Sequence, residues 1–277
     1  MNSLLSDYNP LSMRIRLGQI AVLLLVLASQ QLHAGRCDGT GNCLFGVFPH
    51  TGTRQLLDTY ATLAEELSLV LDSRVRLASS SSMGRFQDEL AAGRWDIALV
   101  GPGQFIYYAE PAGYIPLATT ERLITYRIVT LQRTHIRTLA QLRGHRLGLM
   151  WPHTGTWLVT KALLHDAQID PRDALQTRTF ASQRACIHAL LIGLVDACGL
   201  ATPIFKILEK ERPAPYLTLS ESTPHAGAVY LAHPEVDPER RQALAEYLQE
   251  RPGLRPAKPE YWEHYRELAR RLGVPPR

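Results

Sequence analysis

Lysine is scarce in this chain: only four of its 30 basic residues, Lys161, Lys206, Lys210 and Lys258, are lysine and the rest are arginine. No run of five or six like charges occurs, and the formal net charge of +4 is spread over 277 residues. Scattered charge excludes a nucleic-acid footprint, which needs basic residues gathered on one face. With 19 glycines and 18 prolines the chain has too few of either for a collagen-like or low-complexity protein, and 45% hydrophobic residues exclude disorder. Catalytic signatures are missing too: there is no Gly-x-Ser-x-Gly elbow, no Gly-x-x-x-x-Gly-Lys phosphate loop and no His-Glu-x-x-His helix. The four cysteines show no Cys-x-x-Cys spacing, so a metal site built from Cys37, Cys43 and His33 is the weaker reading of them.

Long apolar runs are also rare, and the longest one sets the compartment. Ile20-Ala-Val-Leu-Leu-Leu-Val-Leu-Ala28 follows Arg14 and Arg16. It is short of the roughly 20 apolar residues that a membrane-spanning helix needs. A basic segment, a short apolar segment and the small residues of His33-Ala34-Gly35 predict a signal peptide over 1–34, cleaved after Ala34, and a periplasmic mature chain. Met13 offers an alternative start, and an uncleaved membrane anchor is the competing reading. Arg36 separates the small residues from Cys37, which argues against a lipoprotein. In an oxidising compartment Cys37 and Cys43, flanking the turn-rich Asp-Gly-Thr-Gly-Asn, are expected to form a disulfide. A helix ending near Gly193 and a strand returning from Val195 would bring Cys186 and Cys198 to one height, as a second bridge.

Beyond the leader, strand and helix patterns alternate. Leu44–Phe48, Arg74–Ala78 and Trp95–Val100 have strand character, and helical spacing separates them over Thr53–Leu71 and Met83–Ala92. A β-rich run over Leu123–Leu131 breaks the rhythm. The alternation then restarts: strands at Arg146–Trp151, Gln176–Phe180 and Asp196–Leu200, helices at Thr156–Ala167, from Ser182 to about Gly193, and at Pro203–Glu211. Two α/β units, each a mainly parallel sheet flanked by helices, imply two lobes with a ligand cleft between them. The first lobe is expected to be 35–121 plus 226–277 and the second 122–225, in a hinge-bending monomer.

One pentapeptide occurs twice, as Pro49-His-Thr-Gly-Thr53 and Pro152-His-Thr-Gly-Thr156, each between an apolar strand and an amphipathic helix. Helix N-termini favour anions, so His50, Thr51, Gly52 and Thr53 are expected to face His153, Thr154, Gly155 and Thr156 across one ligand. Ordinary N-capping is the alternative, since a threonine cap needs no ligand. Ser81 and Ser82 offer hydroxyls before a helix. Gly101, Gly103 and Gln104 offer a tight anion-binding turn, less the amide that Pro102 lacks. His50 and His153 read either as cationic anion partners or as metal ligands.

The stretches Leu44-Phe-Gly-Val-Phe-Pro49, Gly93-Arg-Trp-Asp-Ile-Ala-Leu-Val-Gly-Pro102, Leu142-Arg-Gly-His-Arg-Leu-Gly148 and Gly193-Leu-Val-Asp-Ala197 occur in this order. In them the chain resembles the periplasmic solute-binding proteins of phosphate, phosphite and phosphonate ABC transporters. The resemblance implies a two-lobed Venus-flytrap fold, no catalysis, no cofactor, and a loop from Pro152 to Trp157 that grips an oxyanion. Ser182 and Gln183 join the candidate ligand residues, Gln183 standing where some members carry histidine. His153 and Gly155 replace two hydroxyl positions of the family's loop, and Val100 and Ser82-Met83 stand where tyrosines are common. No acidic pair in Ala201-Thr-Pro203 or His225-Ala-Gly227 is available to hold an aminoalkyl group. The implied partners are a small anionic solute and an ABC permease. A periplasmic sensory protein that addresses a membrane histidine kinase is the second reading, and a metal-dependent hydrolase using His50 and His153 the third.

Overall fold

The computed structural model describes residues 36–38 and 43–276; the expected leader, His33 included, lies outside the described residues. β1 (Cys43–Val47), α1 (Thr53–Leu71), β2 (Val75–Ala78), α2 (Met83–Ala91) and β3 (Ile97–Val100) come first. A helical turn, Pro102–Gln104, runs on as a π-helical turn over Phe105–Ala109 and leads to β4 (Ile115–Thr120). The middle of the chain forms β5 (Tyr126–Leu131), β6 (Arg146–Met150), α3 (Gly155–Asp166), β7 (Gln176–Phe180), α4 (Gln183–Leu191), β8 (Ala197–Ala201), α5 (Thr202–Glu211) and β9 (Tyr216–Glu221). β10 (Val229–Ala232), α6 (Pro238–Gln249), β11 (Leu254–Pro256) and α7 (Glu263–Arg271) complete it.

These strands form two sheets, β11-β4-β10-β3-β1-β2 and β7-β6-β8-β5-β9. The first draws on both ends of the chain and the second on its middle. β1 runs parallel to β2 and β3, and β6 parallel to β7 and β8. The other pairings are antiparallel. Both sheets are therefore mixed, and the parallel order that the βαβ alternation predicts is confined to β2-β1-β3 and β7-β6-β8. It ends where the chain passes between sheets: the segments 121–125 and 222–228 cross side by side, paired antiparallel through Ile124 and His225.

Local sequence explains these elements. β3, Ile-Ala-Leu-Val, is buried along its whole length, as a strand covered on both faces must be. α1 buries Leu56, Leu63, Ala64, Leu67 and Leu71, an apolar stripe at helical spacing. The two halves repeat one device at the head of their sheets. Asp96, just before β3, accepts the Leu44 amide at 2.7 Å, and Asp196, just before β8, accepts the Arg146 amide at 2.9 Å. Gly46 leaves room for Trp95, whose ring would stand 2.4 Å from a Cβ there. Both disulfides are present, Cys37–Cys43 with Cα atoms 4.6 Å apart and Cys186–Cys198 with 6.1 Å. The second ties α4 to β8. An apolar core shared by the two halves contains Phe105, Ile106, Leu158, Val159, Trp262 and Tyr265, and α3 packs against both α7 and the helical turn Pro102–Gln104.

Candidate functional site

A cavity of about 360 Å³ opens between the two sheets. Phe48, His50, Met83, Gly101, Pro102 and Gln104 line it from the first sheet's loops. From the second come Met150, Trp151, the start of α3 at Thr154–Thr156, the start of α4 at Ser182 and Gln183, and Pro203 and Ile204 of α5. The crossing segment supplies Thr120, Arg122, Ile124 and Tyr126, every second residue of an extended chain, and the return crossing adds Gly227 and Ala228.

The two copies of the pentapeptide fold differently. In the second, Thr154 is the N-cap of α3: its hydroxyl accepts from Trp157 N at 3.2 Å and donates to the Trp151 carbonyl at 2.8 Å. The hydroxyl is thus committed to the cap. What the loop offers a ligand is the amides of Gly155 and Thr156, the first two of a helix, which no intrahelical carbonyl reaches. In the first copy α1 starts one residue later, with Gly52 as its N-cap, and the Thr51 hydroxyl donates to Gln55 Oε1. Thr51, Gly52 and Thr53 do not line the cavity, and His50 alone of that copy does. The symmetric clamp expected from the repeat is one-sided in this structure, because the helix start has slipped by a residue.

The histidines take other roles as well. His50 is half-buried, with Nδ1 2.9 Å from the Phe48 carbonyl and its ring on Phe48. Burial holds this imidazole below its ordinary value against the opposing pull of that carbonyl. His153 does not line the cavity. Its backbone is left-handed, at φ +62°, and its ring stacks on Tyr107 at 4.4 Å with Nδ1 2.6 Å from the Tyr108 hydroxyl. Among the described residues one group has three metal-type ligands, Cys37, Cys43 and Asp96, and its two sulfurs are bonded to each other. His50 and His153 join no such group, and the hydrolase reading has no chelating set among these residues.

Ser81 and Ser82 are exposed outside the cavity lining, and Ser82 Oγ caps α2 by accepting from Arg85 N at 3.2 Å. Gly103 is buried where the lobes meet and does not line the cavity; a Cβ there would stand 2.4 Å from the His153 carbonyl and 2.6 Å from Gly155 N. Gly155 in turn presses on Pro102, and Gly84 on the Trp151 ring. Gln87, 3% exposed, spans the same seam: its Nε2 donates to the Pro152 carbonyl at 2.9 Å and its Oε1 accepts from Trp151 Nε1 at 3.1 Å. Close-packed glycines and one bidentate amide join the two halves at this seam.

Gly101, Gln104, Ser182 and Gln183 do line the cavity. Ser182 Oγ accepts from Ala185 N and so caps α4. Gln183 Oε1 accepts the Ala201 amide at 2.8 Å, which fixes the carboxamide and leaves its NH₂ as a donor. Gln104 is 1% exposed; its Nε2 meets only the Met83 sulfur, at 3.1 Å, and its Oε1 has no partner. The residues that sequence reasoning missed are chiefly those of the crossing. The alternation of Thr120, Arg122, Ile124 and Tyr126 is the sequence signal that marks this wall, and it lies in an extended segment rather than in a loop after a strand.

No curated protein matches the sequence. Among solved structures the fold is similar to that of PhnD1 from Prochlorococcus marinus in complex with methylphosphonate, with TM-score 0.76 and 13% identity over 84% of this chain and 98% of that one. A binding protein component of an ABC phosphonate transporter from Pseudomonas aeruginosa gives 0.75 and 14%, over 84% and 86%. The periplasmic aliphatic sulphonate binding protein SsuA from Escherichia coli gives 0.58 and 16%, over 85% and 94%. Among the described residues no helix is long and apolar enough to cross a membrane. The model of the family described as the periplasmic substrate-binding protein of phosphonate ABC transporters matches residues 45–268. This chain belongs to that family of periplasmic substrate-binding proteins.

Proposed function

We propose that this protein captures a small anionic solute between its lobes, 35–121 with 226–277 and 122–225, and delivers it unchanged to an ABC permease. The observation that carries this reading is the set of donors on the cavity. The first two amides of α3, the oriented Gln183 NH₂ and the Arg122 guanidinium all belong to lining residues, and no aspartate or glutamate is among them. Preorganised N–H groups at a helix N-terminus stabilise an anion without reorganising. The methylphosphonate in the PhnD1 structure supports an oxyanion head in this chain too. The paired crossings at Ile124 and His225 serve as the hinge, and a ligand that touches both lobes shifts the population toward the closed state. Each monomer holds a complete cleft, and removal of the leader after Ala34 places it in the periplasm.

Thermal unfolding of residues 35–277 with a panel of inorganic oxyanions, organophosphonates and organosulfonates tests this reading. A ligand at about 100 times its Kd stabilises the fold by about 2.7 kcal/mol, a visible shift of the melting curve. Failure of every anion to stabilise the protein overturns the proposal.

A further inference from the structure

We propose that the solute is an organic anion, a carbon-bound tetrahedral oxyanion head on an apolar, amine-free body, and that Arg122 is the side chain that selects for the charge of the head. This rests on the cleft being the solute site, as proposed above, and narrows what that site accepts.

Three observations carry it. The first is size: a cavity of about 360 Å³ lies within the range of sites for small organic molecules, about 300–1,000 Å³. A bare oxyanion has the volume of roughly two waters, about 60 Å³, and would leave most of the cavity to solvent. The second is the wall. Phe48, Met83, Ile124, Met150, Trp151 and Ile204 face the cavity and come from both sheets and the crossing, so a bound body touches apolar surface on every side. The third is charge. Arg122 is the one lysine or arginine among the lining residues, and it pairs with no carboxylate among the described residues. Ile128, which continues the same alternation beyond Tyr126, is buried, whereas Arg127, off that alternation, is paired with Glu221 at 3.0 Å. An ammonium group in the cavity would find no carboxylate, whereas the buried, weakly partnered Gln104 carboxamide offers an uncharged polar contact.

The test is titration calorimetry of residues 35–277 with phosphate, methylphosphonate, butylphosphonate, phenylphosphonate, benzenesulfonate and 2-aminoethylphosphonate. Affinity is expected to rise about fourfold for each buried methylene from methyl to butyl. Phenylphosphonate or benzenesulfonate is expected to bind most tightly, the order of those two identifying the head, and the aminoethyl compound at least tenfold more weakly than butylphosphonate. Arg122→Gln should weaken every anion roughly tenfold or more. Ile204→Asn should lower the ratio of phenylphosphonate to methylphosphonate affinity. Tight binding of phosphate or methylphosphonate with no gain from a larger body overturns this inference and leaves the capture of an anion standing. Unchanged affinity in Arg122→Gln overturns the role of that residue. Absence of binding by every compound overturns both this inference and the reading beneath it.

Discussion

His225 sits at the crossing between the lobes, 6% exposed, with its ring 4.7 Å from that of His264 and its Nε2 without a hydrogen-bond partner. Burial, with a smaller contribution from His264, pulls its pKa down from 6.5 to about 4. The folded state therefore binds fewer protons than the unfolded chain between these values, and stability falls as pH falls from about 6.5 to about 4. Above 6.5 the penalty is absent, and below about 4 it is complete, on the order of 3 kcal/mol. His225→Phe keeps the ring contacts and removes the proton site. Urea unfolding at pH 7 and pH 4.5 should show a smaller acid loss in the variant than in the parent, and equal losses would refute the assignment. Thr154 teaches a related lesson at the same scale. Its residue type suggests a ligand hydroxyl, yet the hydroxyl caps α3 in both directions, and only the amides beside it remain for an anion. Sequence identifies a capable group, but geometry decides which partner has it.

Elements were the most legible level. The order of strands and helices followed from hydrophobic period, and both cysteine pairs from compartment and rise per residue, because each depends on local geometry. The slip of one residue between the starts of α1 and α3 was not legible, since identical pentapeptides precede both and only the second has its histidine packed on Tyr107 and Tyr108. The seam between the lobes was equally hidden: Gly103 looked like an anion-binding turn, and it is instead a point where two backbones approach. That distinction is measurable. Alanine suits a helical turn better than glycine does, so in an open form, with the lobes parted at this seam, Gly103→Ala should cost little stability. Its Cβ would stand 2.4 Å from the His153 carbonyl, so the closed pose must give way. Small-angle scattering with saturating phenylphosphonate should then show less compaction than the parent and calorimetry a weaker Kd. Full compaction with parental affinity would mean that this seam is not part of closure.

At the scale of the molecule, a shared core and a pair of crossings set what the cleft can do. α7 meets α3 through Tyr265, Leu268 and Ala269 against Leu158, Val159 and Ala162, with Arg271 3.0 Å from Asp166. This contact joins the two lobes on one side, and Gln87 with the glycines joins them at the loop before α3. The crossing, proposed above as the hinge, is also a wall of the cavity, because its alternate residues line it. On that proposal Arg122 and Ile124 would meet the solute at the hinge, which would couple recognition to closure.

The most direct test of the central claim is a crystal structure of residues 35–277 grown with phenylarsonate, the arsenic counterpart of phenylphosphonate, with data collected at the arsenic absorption edge. The account predicts one strong anomalous peak inside the cavity, with arsonate oxygens about 3 Å from the amides of Gly155 and Thr156 and from the Arg122 guanidinium, and the phenyl ring toward Met150 and Ile204. A cavity without arsenic in a crystal of protein that binds phenylarsonate in solution, or a peak at another site on the molecule, would contradict it.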